Sequence, residues 1–308
     1  MPPDTHPARH RRPRGDVVPV WRTPTSLQVG IDDDVLVLEP VPPLTVQLLQ
    51  TLASDGRFAE SSDTSRVAWQ DWLLDRLDEH GLLGSPAPAA RIRIHGSGVV
   101  AQRIATLLVD LGHTVLIHDA TPLPGTRRTQ GQRLVTQLRR TPRRRGGRAV
   151  VDGGDAADLT VVCTGTCEPD RSLTDSLARD GEPYLVVRTR PGTAIAGPLV
   201  IPEETSCVRC ADLWRTQADP AWPRLAAQLA HRLSPDDPLL DAWVAAVSLA
   251  QIAAHLHGET GELRSRTLTL TADSGRTTLR VWPRHHNCVC HGRPRELGNP
   301  PAPDRIGA

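Results

Sequence analysis

Lysine is absent from this 308-residue chain, so its 36 strongly basic side chains are all arginines. The absence excludes a phosphate-binding lysine, which many triphosphate-handling sites use. Net charge is also nearly absent, because 35 acidic residues leave a formal charge of +1. No overall field therefore attracts the chain to nucleic acid or to a membrane surface.

Long apolar runs are missing as well. The paired arginines Arg11 and Arg12 are followed by Pro-Arg-Gly-Asp rather than by the apolar stretch of a signal peptide. The longest apolar helix candidate, Asp241–His257, is interrupted by polar residues and is shorter than the roughly 20 residues that cross a bilayer. We therefore expect a cytoplasmic protein with no membrane partner, in which this helix is buried.

The hydrophobic content of 39% is enough for one large or two modest domains. Residues 1–17 combine arginine and proline without an apolar period, which predicts a disordered basic arm. Gly84–Ala90 has the composition of a linker. We expect a small module over residues 18–88, a larger domain over residues 89–295 and a flexible tail over residues 296–308.

The small module is predicted to contain strands and helices in the manner of a winged helix. The predicted elements are two strands and two helices, over Thr25–Ile31, Val35–Leu38, Leu44–Leu52 and Arg66–His80. Asp32, Asp33 and Asp34 form the turn between the strands, and Gly81 ends the second helix. Trp69 and Trp72 follow the apolar stripe of that helix and are predicted core residues.

The larger domain opens with a strand, a glycine turn, a helix and a second strand. These segments are Arg91–His95, Gly96–Ala101, Val99–Leu111 and Thr114–His118, followed at once by Asp119. This order is typical of a dinucleotide-binding βαβ unit, in which glycines admit phosphate at a helix N-terminus and the acid binds ribose. Gly96, Gly98 and Asp119 are therefore candidate nucleotide-binding residues. Because the same turn also packs a helix closely on its strand, it predicts the fold more specifically than the ligand.

Alternating helices and strands continue along the domain and predict an α/β, Rossmann-like, mostly parallel sheet. The further predicted elements are helices over Thr129–Arg140, Asp170–Arg179 and Trp222–Arg232 and strands over Asp158–Cys163, Pro183–Arg188, Arg266–Thr271 and Thr277–Val281. The basic run Arg139–Arg148 is either a solvated loop or a nucleic-acid contact.

Two short-spaced cysteine pairs predict a metal site. Cys207 and Cys210 follow the strand-like Gly197–Ile201 at C-x-x-C spacing, and Cys288 and Cys290 lie near the end of the chain. A closed structural zinc site needs four ligands, which these pairs supply. We therefore predict a four-cysteine structural zinc clasp that joins the middle of the chain to its end.

Other assignments of the cysteines remain open. The pairs could form disulfides or be unrelated buried thiols, and His285, His286 or His291 could replace one thiolate. Cys163 and Cys167 are predicted to be buried rather than nucleophilic, because no histidine lies near them in sequence.

From Ala90 to Cys290 these motifs resemble the ThiF/MoeB-like activating enzymes, which are related to ubiquitin-activating enzymes. The residues from Cys207 to Pro223 are similar to one branch, the leader-peptide-binding partner proteins of azoline-forming cyclodehydratases in ribosomal peptide (RiPP/TOMM) biosynthesis. In that branch a winged-helix recognition element precedes the ThiF-like domain. Trp21–Gly30 resembles the first strand of that element.

The resemblance also implies which activity is lost. Active members use an Asp-Cys-Thr-Asp-Asn motif to hold magnesium, whereas this chain reads Val162-Cys163-Thr164-Gly165-Thr166, without either acid. Asp119 matches the acid that binds ribose. Because phosphoryl chemistry needs cations to offset developing charge, adenylation is not expected. ATP is thus not expected as a working cofactor, although weak nucleotide binding stays open.

These observations favour a non-catalytic ThiF-like scaffold that binds a precursor (leader) peptide and presents it to a cyclodehydratase-like partner enzyme. An ATP-dependent adenylyltransferase is the alternative, and a winged-helix regulator that binds nucleic acid is the second alternative. Structural zinc is the expected cofactor. The oligomeric state, including a homodimer, is left open by the sequence.

Overall fold

The computed structural model describes residues 12–13, 17–31, 35–55, 58, 61–84, 89–140 and 146–291. Several predicted features lie outside the described residues: the turn at Asp32–Asp34, most of the linker, the centre of the arginine run and the tail over residues 296–308. Within the predicted N-terminal arm, Arg12–Pro13 is a strand and Val17 is buried, and the rest lies outside the described residues. The chain divides into two compact units, residues 1–88 and 89–308.

The first unit contains a three-stranded antiparallel sheet and two helices. Its elements are β1 Arg12–Pro13, β2 Pro19–Thr23, β3 Ser26–Val29, β4 Leu36–Leu38, α1 Thr45–Asp55, α2 Thr64–Glu79 and β5 Leu83–Gly84. The sheet order is β2-β3-β4, and β1 pairs separately with β5. Leucines from both helices and from β3 and β4 form the core. Helix α2 starts at Asp63, which accepts a hydrogen bond from the Ser65 N–H at 2.9 Å, and the chain reverses at Gly81 as predicted.

The prediction of one strand over Trp21–Gly30 is wrong, because this segment is a hairpin. Strands β2 and β3 pair antiparallel, with Trp21 opposite Leu27. The turn between them contains Pro24, which has no N–H to donate to a strand ladder.

The second unit is built on an eight-stranded sheet. Its strands are β6 Arg91–His95, β7 Thr114–His118, β8 Arg148–Val151, β9 Leu159–Val162, β10 Tyr184–Arg190, β11 Thr193–Val200, β12 Arg266–Thr271 and β13 Thr277–Val281. Its helices are α3 Val99–Asp110, α4 Gln130–Arg139, α5 Arg171–Arg179, α6 Val208–Ala218, α7 Trp222–Leu229 and α8 Pro238–Leu256. The order is β13-β12-β11-β10-β9-β6-β7-β8, parallel from β10 to β8 and antiparallel from β10 to β13. This confirms the predicted mostly parallel α/β sheet.

The turn after β6 needs a glycine at position 96, because the backbone packs closely there. Gly96 has a φ of 119°, and a Cβ there would lie 2.0 Å from the carbonyl oxygen of Cys163. Gly98 is the N-cap of α3 and offers no side-chain cap, and a Cβ there would meet nothing within 4 Å. Ala101 occupies the third glycine position and is fully buried. The turn therefore packs α3 onto the sheet and leaves open space at the helix N-terminus.

Helix α8 is the one described helix that is long and apolar enough to cross a membrane, judged by length and composition. Core helices of soluble proteins satisfy the same two conditions. In this fold α8 contacts α3, β10 and β11, and its residues Leu240, Val244 and Ile252 belong to the core of the second unit.

Candidate functional site

Four cysteines from distant parts of the second unit meet at one point. Cys207 is the N-cap of α6, Cys210 lies in the first turn of that helix, and Cys288 and Cys290 lie in the turn after β13. Sulfur–sulfur distances are 3.6 Å for Cys207–Cys288, 3.6 Å for Cys210–Cys290, 3.9 Å for Cys207–Cys210 and 3.3 Å for Cys288–Cys290. All four ligand atoms lie within 4.8 Å of one another.

This geometry fits a tetrahedral thiolate site. Zinc–sulfur bonds of about 2.3 Å place sulfurs roughly 3.8 Å apart at the corners of a tetrahedron. A disulfide would need about 2.05 Å, and none of the four cysteines forms one. Three of them are buried. The predicted convergence of the two pairs is confirmed, and the four residues could hold one metal ion.

Histidine does not join the four sulfurs among the described residues. His285 is buried and stacks on His286 with ring centroids 4.3 Å apart. Its Nδ1 accepts the N–H of Asn287 at 3.1 Å, and Trp214 packs edge-on against its ring. The side chain of His291 lies outside the described residues.

Two of the three predicted nucleotide residues line a cavity of about 750 Å³ at the carboxyl ends of β6, β7 and β9. In open α/β sheets this edge, where the strand order reverses, is the usual ligand position. Gly98 and Asp119 line the cavity, whereas Gly96 packs against the backbone of Cys163. The Asp119 carboxylate accepts hydrogen bonds from the Ser97 hydroxyl at 2.5 Å and from the Thr121 N–H at 3.0 Å.

Besides Asp119, this cavity has two acids from the start of α8, a predicted helix that the sequence analysis did not connect with a site. Val162 is buried, and Gly165 lines the cavity without a side chain, so the segment after β9 contributes no carboxylate. Asp236 and Asp241, at the start of α8, line the cavity instead. Burial and the neighbouring Asp236 raise the pKa of Asp241.

Cys163 and Cys167 are buried, as predicted. Burial, followed by the charge of Asp241, raises the pKa of the Cys163 thiol to about 12. A thiol with that pKa stays protonated at neutral pH and is a poor nucleophile.

A buried charge cluster lies beside the cavity and was missed by the sequence reasoning. Glu168 is 1% exposed and forms ion pairs with Arg171, Arg188 and Arg190. Asp212 pairs with Arg171 at 2.5 Å and with Arg215 at 3.4 Å. The signal available in the sequence was the placement of Arg188 and Arg190 in an otherwise apolar strand.

The first unit carries two open cavities of its own. One of about 540 Å³ is lined by Trp21 of β2 and by residues that follow β4. The other, of about 480 Å³, is lined by Pro42, Ser65, Ala68, Trp69 and Trp72. Trp69 and Trp72 pack edge to face with centroids 5.5 Å apart. They are partly buried against the core, so they are both core residues and the wall of a surface cavity.

No protein-family model and no curated protein matches this chain. Several solved structures have a similar fold. The microcin C7 biosynthetic enzyme MccB in complex with N-formylated MccA is 13% identical, with a TM-score of 0.58 over 92% of this chain and 100% of its own. E. coli MccB with ATP is 14% identical, with a TM-score of 0.57 over 92% and 100%.

A heterocyclase in complex with substrate and cofactor is 14% identical, with a TM-score of 0.60 over 93% of this chain and 40% of its own. At sequence identities this low, the similarity shows a shared fold and nothing about function. The chain therefore has the fold of MccB and of this heterocyclase, as the resemblance to ThiF/MoeB-like proteins implied.

Proposed function

We propose that this chain is a non-catalytic ThiF-like scaffold that binds a precursor peptide and presents it to a separate modifying enzyme in ribosomal peptide biosynthesis. The proposal is supported by neighbours of this fold. One is a microcin C7 biosynthetic enzyme bound to N-formylated MccA, and another is a heterocyclase bound to its substrate.

The observation that carries the proposal is the combination of a sheet edge and an aromatic cavity in the first unit. Among the described residues β4 pairs with β3 on one side only. Pro42, a few residues beyond β4, lines the cavity formed by Trp69 and Trp72. An extended peptide could add to β4 through backbone hydrogen bonds and insert an apolar side chain into this cavity. A peptide site in this unit agrees with the winged-helix-like recognition element that the sequence predicts for residues 18–88.

The second unit then serves as the scaffold. We propose zinc as the ion of the four-cysteine site, because four thiolates in a tetrahedron are the usual ligand set of structural zinc. The site would fix β13 and the turn after it to the start of α6.

The test is direct binding to the full chain. The probes are fluorescein-labelled synthetic leader segments of precursor peptides that are encoded beside cyclodehydratase genes, measured by anisotropy. Saturable binding of at least one leader, and none of its scrambled version, is expected. A folded, zinc-loaded chain that binds no leader would contradict the proposal.

An ATP-dependent adenylyltransferase is the second candidate. It is favoured by one observation: the uncapped N-terminus of α3 and the carboxylates of Asp119, Asp236 and Asp241 line the same cavity. Helix N-termini favour phosphate, and carboxylates can hold magnesium. Nucleotide turnover separates this candidate from the first.

A further inference from the structure

Arg188 is the least exposed cation of the cavity beside the glycine turn. It lies near the end of β10, its side chain is 4% exposed, and it lines the cavity together with Thr189 and Ser234. A guanidinium carries five N–H donors and no acceptor. The buried guanidinium of Arg188 therefore needs acceptors from the groups around it.

Within the described residues this side chain makes one hydrogen bond and one ion pair, which leaves guanidinium donors available on the cavity side. Nη1 donates to the carbonyl of Gly197 at 3.2 Å, the one hydrogen bond of this side chain within the described part of the chain. Nε lies 3.0 Å from Oε1 of Glu168, but without hydrogen-bond geometry. Buried polar groups normally have hydrogen-bond partners, and leaving them unpaired is costly. An acceptor from outside the chain would satisfy them.

The charges around Arg188 also favour an acceptor from outside the chain, because cations outnumber carboxylates there. Four guanidinium groups, those of Arg171, Arg188, Arg190 and Arg215, surround only two carboxylates, Glu168 and Asp212. Burial, followed by the repulsion of Arg188, lowers the pKa of Arg215 to about 10. The faces of Trp222 and Trp282, 4.8 and 4.3 Å from the Arg215 guanidinium, offset part of its charge. Arg188 has no such aromatic partner among the described residues.

We propose that the Arg188 wall of this cavity binds an oxyanion, the carboxylate or phosphate group of a small molecule. Oxyanions accept charge-assisted hydrogen bonds from guanidinium in bidentate geometry. On the same wall the Thr189 hydroxyl donates to the Ser234 hydroxyl at 2.8 Å. The Ser234 hydroxyl, whose own bond to the Pro235 carbonyl is long at 3.4 Å, is a neutral donor. This inference concerns the second unit and is independent of peptide binding by the first.

The remainder of the cavity restricts the ligand. Three carboxylates, Asp119, Asp236 and Asp241, and one exposed cation, Arg133, line its other parts, so a polyphosphate without a bound metal ion would meet like charges there. The ligand therefore carries a single oxyanionic group on a body that is otherwise neutral or cationic. This description differs from a nucleoside triphosphate.

The experiment uses the full chain at pH 7 and constant ionic strength, with acetate and inorganic phosphate as probes. Saturation-transfer NMR follows the acetate methyl group, and phosphorus line broadening follows phosphate. At least one probe is expected to saturate below about 10 mM. Arg188→Gln should weaken that binding about tenfold or more. The matched control, Arg190→Gln, removes another Glu168 partner that does not line the cavity. It removes the same charge without removing a cavity donor, so it should weaken binding by less than about threefold.

A second variant tests the proposal in case Arg188→Gln does not fold. Ser234→Asp adds a carboxylate to the same wall, and it should abolish binding of the probes while retaining the parent melting temperature. Preference for acetate identifies a carboxylate ligand, and preference for phosphate identifies a phosphate monoester. The proposal is overturned if neither probe saturates, if Arg188→Gln and Arg190→Gln weaken binding equally, or if Ser234→Asp binds as tightly as the parent.

Discussion

The Cys207 and Cys288 sulfurs lie 3.6 Å apart although 81 positions separate the two residues in the chain. A contact between residues this far apart in the chain closes a large loop. The loss of chain entropy must be offset by interactions at the point of contact. Because four sulfurs meet there, a single ion would join α6 to the turn after β13. The site is therefore best understood as a clasp for the sheet edge.

The first prediction is that the chain binds one zinc ion and depends on it. Cys288→Ser should reduce the zinc content from one ion per chain to none and lower the melting temperature by about 8 °C or more, because metal binding contributes to folding. Elemental analysis and thermal unfolding measure these two effects. Cys167→Ser changes a buried cysteine outside the cluster and should keep one zinc ion. Full zinc content in Cys288→Ser would rule out the four-cysteine assignment.

The second prediction is that the chain catalyses no ATP–pyrophosphate exchange. The segment after β9 offers Val162 and Gly165 in place of acids, and the chain has no lysine. Without them the charge that shifts to pyrophosphate is not offset. Exchange is measured with labelled pyrophosphate in the presence of each leader peptide. Activity that disappears in Asp119→Ala would promote the adenylyltransferase alternative.

The third prediction places peptide binding at α2. Trp72→Ala should weaken leader binding about tenfold or more, since buried tryptophans are frequent binding hot spots. Trp21→Ala is the matched control, because Trp21 is 53% exposed on β2 and lines the other cavity of the same unit. It should change the affinity by less than about threefold. Anisotropy titrations on the full-length variants, with circular dichroism to verify folding, give the comparison. Equal losses in both variants would contradict a site at α2.

Local patterns predicted most of the second unit. Strands β6, β7, β12 and β13 have the predicted bounds, since apolar runs and glycine turns delimit them. The metal cluster was predictable because short cysteine spacings restrict the number of partners. Each of these strands, and each of the two cysteine pairs, is encoded within a few residues.

Other features depend on partners far away in the chain. Strand β8 begins at Arg148, the last residue of the arginine run, whose composition indicates a loop. Pairing with β7 in the sheet gives this residue its extended conformation. Helix α6 starts at Cys207 without a side-chain cap, so the usual N-cap signal is missing. Glu168 meets Arg188 and Arg190 only after β10 pairs with β9. Its sequence neighbours give no indication of that cluster.

The last prediction concerns the pH dependence of the fold. Burial alone would raise the pKa of Glu168, but the arginines, Arg188 first and then Arg171 and Arg190, outweigh it and lower that pKa from 4.5 to about 2. A carboxyl with a lowered pKa stabilises the folded state fully above its unfolded pKa and loses this contribution as the pH falls toward its folded pKa. Glu168→Gln should therefore lower the free energy of unfolding at pH 7 by about 3 kcal/mol.

The difference between the parent and Glu168→Gln should shrink as the pH falls from 4.5 toward 2. Chemical denaturation at several pH values measures it. Zinc loss in acid affects both proteins alike and cancels in the comparison. Glu204→Gln removes an acid whose side chain is 64% exposed and 3.5 Å from Arg264, and it should change stability by less than about 1 kcal/mol at every pH. A Glu168→Gln deficit that stays the same from pH 7 to pH 3 would show that the carboxylate charge is not what stabilises the cluster.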